Sequence, residues 1–261
     1  MTNSPFSNEA IKERLFDRRN VEVLEHLIEQ ERTRFVNIDV YEHELDYGPI
    51  PTLKEVRNQI FPEVKIEVDE VLEFDGKQFV NIEFEDVLRK ISRNLFGLGD
   101  AYYNVEKKTI YLRETPIKKL LSALIHEYAH FADDMSFGID EVRGRGSMFC
   151  EGIACGVERK VVDKLALKRE DDLLRRDIFC RELYFKRAAY TVLCTYLGVN
   201  PKEEIAYSKT FIIDKGFFKR VVCHSLYHAL GAVFLSLSEL KHGPSVYARA
   251  LRRDESILQL H

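Results

Sequence analysis

The sequence has no apolar run long enough to cross a bilayer. Its longest, Ala229 to Leu237, is well short of the ~20 residues a membrane helix needs, so no membrane-spanning segment is expected. A basic surplus is also missing: 39 Lys and Arg against 43 Asp and Glu leave a net charge of -4. Coating nucleic acid takes a basic face, and no nucleotide-binding loop appears, so no nucleic-acid partner is expected. Cysteine is sparse and holds no CxxC pair. Cys150, Cys155, Cys180, Cys194 and Cys223 sit in apolar helical patterns, where a cysteine is usually a small buried hydrophobe. The N-terminus runs from Met1-Thr2-Asn3-Ser4-Pro5 into charged residues and lacks the apolar stretch of a secretory signal. These absences lead to the expectation of a reduced, cytoplasmic protein. There is no internal repeat and no low-complexity tract. The 17 Phe and 12 Tyr exclude disorder as the main state.

The first half mixes helix and strand signals. Residues 8–35 carry Ile11, Leu15, Phe16, Val23, Leu24, Leu27 and Ile28 on one side and predict one long helix. Alternating apolar positions predict strands at 36–40, 64–68 and 80–84, and residues 86–94 predict a helix. Two further strands, 101–105 and 109–112, flank a polar turn. After residue 115 the pattern is helical nearly throughout. Thr115 and Pro116 are a helix start, followed by the apolar face of Ile117, Leu120, Leu121, Leu124, Ile125 and Tyr128. Further helices are expected at 147–168, 171–197, 216–240 and 245–258. A glycine-bearing loop, 135–146, joins the first two of these helical segments.

Within the first of these helices lies His126-Glu127-Tyr128-Ala129-His130, an HExxH motif. Positions i and i+4 stand one turn apart on one helix face, so both imidazoles can reach one Zn²⁺ at about 2.0–2.1 Å. Glu127 is placed to reach a water on the metal and take its proton. Random placement gives the motif in about one chain in forty of this length, but here it lies mid-helix among apolar residues. Two histidines and a glutamate buried on a helix without a cation are costly.

A catalytic zinc usually has three protein ligands and an open position. The extension HExxHxxGxxH fails, because Asp133 and Ser136 stand where glycine and the third histidine belong. Glu151 is the third ligand expected: it is a lone charge in Cys150-Glu151-Gly152-Ile153-Ala154-Cys155-Gly156, on a predicted helix. The small residues Gly152, Ala154 and Gly156 would let that helix approach the HExxH helix closely. Glu158, one helical repeat later, is the rival ligand. Asp133 shares the ligand face and is either a carboxylate that orients an imidazole or a plain helix-end aspartate.

His126, Glu127, His130 and Glu151, with Gly152 and Ala154, resemble the zinc-binding pattern of the gluzincin metallopeptidases of the zincin superfamily. The resemblance covers about residues 101–158. It implies an α+β, zincin-like fold. A mixed α/β N-terminal half, 1–134, carries an edge-strand hairpin before the HExxH helix, and a mostly helical half, 135–261, carries the third ligand. It implies that Thr109 to Arg113 is a sheet edge that pairs with extended substrate. It also implies an electrophile from the helical half, for which Tyr227 and His228, with His224, are the candidates. His224 and His228 are equally readable as packed core histidines, and Tyr184, Tyr190 and Tyr207 remain open.

The function expected is a Zn²⁺-dependent metallopeptidase acting on a peptide or protein substrate. Metal-activated water is the nucleophile and Glu127 the general base. The alternative is a regulatory or interaction protein that binds zinc without hydrolysis. An intact Glu127 and the lack of a four-ligand cysteine-rich set speak against that alternative. The 135–146 loop, with Gly138, Gly144, Gly146, Arg143 and Arg145, is expected to be a lid over the site.

Overall fold

A computed structural model describes residues 4–36, 81–85, 101–106, 109–113, 117–137, 147–169, 172–206 and 219–261. Helices α1 (Asn8–Leu15) and α2 (Arg18–Val36) come first. They are followed by strands β1 (Asn81–Glu85), β2 (Ala101–Asn104) and β3 (Thr109–Arg113). Then come α3 (Ile117–Phe137), α4 (Met148–Arg169), α5 (Asp172–Leu197), α6 (Lys219–His242), α7 (Val246–Leu251) and a 3₁₀ turn (Glu255–Leu258). The class is α+β, dominated by helix. The segments expected at 36–40, 64–68 and 86–94 lie outside the described residues, apart from Val36, which ends α2.

The single N-terminal helix expected is two. Ser7 opens α1 by accepting from the Ala10 N–H. The helix ends at Phe16 because the buried Asn20 side chain donates to the carbonyls of Arg14, at 3.1 Å, and Leu15, at 2.8 Å. Those are the orphan acceptors of a helix C-terminus. Asp17 then caps α2, accepting the Arg19 N–H at 2.9 Å. The expected 245–258 helix is also broken. α7 stops at Leu251, and Arg253 takes φ 55°, a left-handed conformation that an α-helix does not continue through.

The sheet has the order β1-β3-β2, with β1 parallel to β3 and β2 antiparallel to it. Tyr102 faces Tyr111 across the hairpin and stacks on it at 4.8 Å. β3 is thus paired on both sides. The expectation that 109–113 offers a free edge is corrected. Among the described residues β1 and β2 are the two outer strands, and β2 is the one next to the HExxH helix in the hairpin.

α3 packs on β2 and β3 and, on its other side, on α4; α4 in turn meets α5 and α6. One buried cluster joins both halves of the chain, with Ile11, Leu24, Leu124, Phe149, Leu193 and Phe234 among its members. Buried charges are paired within this core. Lys186 is 2% exposed and lies between Glu182, at 3.1 Å, and Glu31, at 3.2 Å. Arg159 bridges Glu239, at 2.7 Å, and Glu182, at 3.5 Å.

Two glycines decide how α4 and α6 meet. A Cβ on Gly231 would stand 1.9 Å from the Met148 carbonyl oxygen, and one on Gly152 2.4 Å from the Gly231 oxygen. The two backbones therefore touch. The small residues of α4 were expected to admit the HExxH helix; instead Gly152 admits α6, and Gly156 makes room for the Tyr247 ring of α7. Among the described residues no helix is long and apolar enough to cross a membrane.

Candidate metal centre

α3 puts its apolar residues Leu124, Ile125, Tyr128, Ala129, Phe131 and Ala132 into the core. That orientation leaves Ser122, His126 and His130, spaced by four, along the side that meets α4. α4 answers with Glu151, Cys155 and Glu158, one helical face in steps of four and three. α6 brings His228 from a third direction, one turn before the Gly231 crossing.

Four side-chain atoms converge. His126 Nε2 and His130 Nε2 are 3.2 Å apart, and each is 3.3 Å from Glu151 Oε2. His228 Nε2 stands 2.9 Å from the same oxygen. Its ring lies parallel to that of His126, with centroids 5.3 Å apart and planes at 18°. The ligand atoms of His126, Glu151 and His228 all fall within 4.8 Å of one another.

The residues fit a metal ion. Glu151 is buried, and its Oε2 accepts no hydrogen bond although three imidazole nitrogens surround it. A buried carboxylate charge is costly unless cationic partners offset it. A cation held by Glu151 and neighbouring imidazoles would remove that cost. Ligands at about 2.0–2.1 Å in a tetrahedron are separated by about 3.3 Å, the spacing found for His126, His130 and Glu151. Burial pushes the Glu151 carboxyl up, but the imidazoles of His130, His228 and His126 outweigh it and hold the group well below the carboxylate range. His126 is driven the other way: burial lowers it, but Cys155, Glu151 and Glu158 together raise it well above the usual value.

Behind the cluster, Glu158 Oε2 lies 3.2 Å from His126 Nδ1. The same carboxylate takes the Ser122 hydroxyl and the Arg181 guanidinium, and Arg181 also donates to Ser122 Oγ at 3.0 Å. A carboxylate at Nδ1 would leave the His126 Nε2 lone pair for a metal, were one bound. Burial works against the Glu158 charge, yet Arg181, His126 and Ser122 hold the carboxyl at about 2. Glu158, weighed from the sequence as a rival ligand, meets His126 on its Nδ1 side, away from the Nε2 that faces Glu151. Asp133, weighed as the orienting carboxylate, is paired with Arg253 at 2.7 Å instead.

Glu127 accepts the backbone N–H of Tyr103 at 2.7 Å. An N–H donated to Glu127 is not donated to β3, so it faces the outer side of β2, and Glu127 sits at that edge. Glu127 also acts electrostatically on His130. Tyr103 is fixed further by its hydroxyl, which donates to Asp134 at 2.7 Å. Of the two electrophile candidates on α6, His228 meets the cluster, while Tyr227 packs half-buried against the core. The His224 side chain, Tyr207 and the 138–146 loop lie outside the described residues. Cys155 and Cys194 are buried as expected, and burial pushes the Cys155 thiol up to about 11. Cys180 is a correction, because it is exposed on α5.

Ser122, Arg181 and the Tyr103 N–H did not emerge from the sequence. Ser122 carried a faint signal, standing four residues before His126 on the same face. Arg181 carried none, because only tertiary packing brings α5 to the site. Comparison of the chain with family models, curated proteins and solved structures finds no match.

Proposed function

We propose that the chain is a zinc-dependent metallopeptidase of zincin-like fold and gluzincin type. One observation carries the reading: the triangle of His126 Nε2, His130 Nε2 and Glu151 Oε2, with edges of 3.2, 3.3 and 3.3 Å. A bound Zn²⁺ lowers the pKa of a water toward ~7 and polarises a carbonyl. Glu127 is the general base. Tyr103 holds its Oε2; the other oxygen takes the proton of the attacking water and passes it to the leaving amine as the C–N bond breaks. Extended substrate adds to the outer side of β2, beside Glu127, by main-chain pairing. His228 is the electrophile candidate that stands next to the reacting groups.

Glu127→Gln is the test. Zinc content, measured by elemental analysis, stays at one per chain, while cleavage of a generic peptide mixture falls by about 10²–10⁴-fold. A zinc-loaded wild type that cleaves nothing overturns the peptidase reading. It leaves the second reading, a zinc-binding protein without hydrolysis. One observation favours that second reading: His228 brings a fourth protein group to the cluster, and structural zinc sites are closed by four.

A further inference from the structure

We infer that Tyr103 and Asp134 are positioning residues for Glu127, forming a latch along the HExxH helix that holds the general base at the edge of β2. The inference rests on the peptidase reading above, in which Glu127 is that base, and not on which groups hold the metal. Glu127, Phe131 and Asp134 stand at i, i+4 and i+7 of α3, so they share one face over two turns. One residue of β2 meets all three. The Tyr103 N–H donates to Glu127 Oε2 at 2.7 Å, its ring meets Phe131 edge-on at 5.8 Å, and its hydroxyl donates to Asp134 Oδ2 at 2.7 Å.

The three contacts have different consequences. The main-chain bond fixes Glu127 only as well as the strand itself is fixed. Among the described residues β2 is held by a strand on one side alone, β3. The hydroxyl ties the same residue to α3 about 10 Å further along the helix axis. β2 therefore cannot slide along α3 without breaking a bond to a carboxylate that is only 4% exposed. Phe131, 1% exposed, gives the ring a wall that does not yield. Burial and the Asp134 carboxylate both raise the Tyr103 phenol well above its usual range, so the hydroxyl keeps its proton and stays the donor. Neighbouring Asp133 turns to Arg253 instead, so the two adjacent aspartates fasten α3 to different segments. With one oxygen of Glu127 anchored, the other is held in place for the attacking water.

Amide hydrogen exchange, followed by NMR on the zinc-loaded chain, reads the latch without reference to cleavage. The Tyr103 N–H faces away from β3, so its protection comes from Glu127. Exchange at Tyr103 is expected to be about 10–150-fold slower in the wild type than in Glu127→Ala, the range for a hydrogen bond to a charged group. Tyr103→Phe deletes only the hydroxyl. Its kcat and kcat/KM on the peptide mixture fall together, by about 10–100-fold, while zinc content stays at one per chain. Adding Tyr103→Phe to Asp134→Ala costs no further activity, because both changes break the same bond. A purely structural tyrosine would lower Tm and leave kcat as it is. A wild-type Tyr103 amide that exchanges as fast as in Glu127→Ala, or a Tyr103→Phe chain with wild-type kcat, overturns the inference while the peptidase reading stands. The exchange measurement does not depend on Tyr103→Phe folding. A zinc-loaded wild type that cleaves nothing sinks the peptidase reading itself and this inference with it.

Discussion

Replacing Gly231 with alanine tests the link between the helix crossing and the metal centre. The added Cβ would stand 1.9 Å from the Met148 carbonyl oxygen and 2.8 Å from the Gly152 nitrogen. Both are main-chain atoms, so no rotamer change relieves the clash. Ordinary Cβ contact begins near 3.4 Å, and α6 must withdraw from α4 by about 1.5 Å. Alanine gains about 1 kcal/mol of helix propensity over glycine. Overpacking costs about 1–3 kcal/mol where neighbours can yield, and backbone yields least, so the cost lies at the top of that range. The net loss is about 2 kcal/mol, or roughly 4–8 °C in Tm for a chain of this size. The same withdrawal parts His228 from Glu151, now 2.9 Å apart, and zinc affinity falls by more than about 10-fold. Thermal unfolding followed by circular dichroism reads the first effect, and competition with a zinc chelator reads the second. Gly198→Ala is the contrast. Gly198 has φ +66° and nothing within 4 Å of a Cβ, so its cost is local strain of about 1 kcal/mol, with metal affinity unchanged. A Gly231→Ala chain with wild-type Tm and wild-type zinc affinity would refute the argument that a backbone contact sets the site.

Three further outcomes are expected. Glu158→Gln keeps the shape of the group behind His126 but removes its charge, and zinc affinity drops by about 10–100-fold in chelator competition. Arg253→Ala strands the buried Asp133 carboxylate, whose partner side chain is itself only 8% exposed, and costs about 3–5 kcal/mol in urea unfolding. Acid should weaken the metal-free chain through Glu158. Its folded value of about 2 lies below its ordinary 4.5, so the ionised group contributes stability in full above about 4.5. That contribution is lost as the pH falls toward 2. Urea midpoints measured across that window should fall more steeply for the wild type than for Glu158→Gln.

The helical periodicity of residues 117–137 and the HExxH spacing were readable without any structure, because both are local. Positions four apart share a face whatever the helix packs against. Glu151 was legible for a related reason: a lone carboxylate in an apolar helical stretch needs a partner. The boundaries of α4 and α5 were close to their expected places, since periodicity ends where the pattern ends. Local capping was less legible. The break at Phe16 depends on Asn20 folding back onto carbonyls five and six residues earlier, and the hydrophobic pattern runs straight through it.

Tertiary structure decided the rest. Whether β3 or β2 is the outer strand depends on the pairing of β1, more than twenty residues away in sequence, and no alternation pattern encodes it. The choice between Glu151 and Glu158 was open in one dimension, because they lie seven residues apart on the same face of α4. Their height along α3 separates them: Glu151 is level with the Nε2 atoms of both histidines, and Glu158 is level with Ser122 and His126 Nδ1. His228 and Arg181 join the site from α6 and α5, helices whose approach follows from Gly152 and Gly231 touching and from buried charges finding partners. Sequence therefore determined which groups can ligate, since that is side-chain chemistry at fixed helical spacing. Only the packing of α4 against α3 and α6 determined which of them share one point in space, since that depends on backbone distances between segments that local periodicity does not connect.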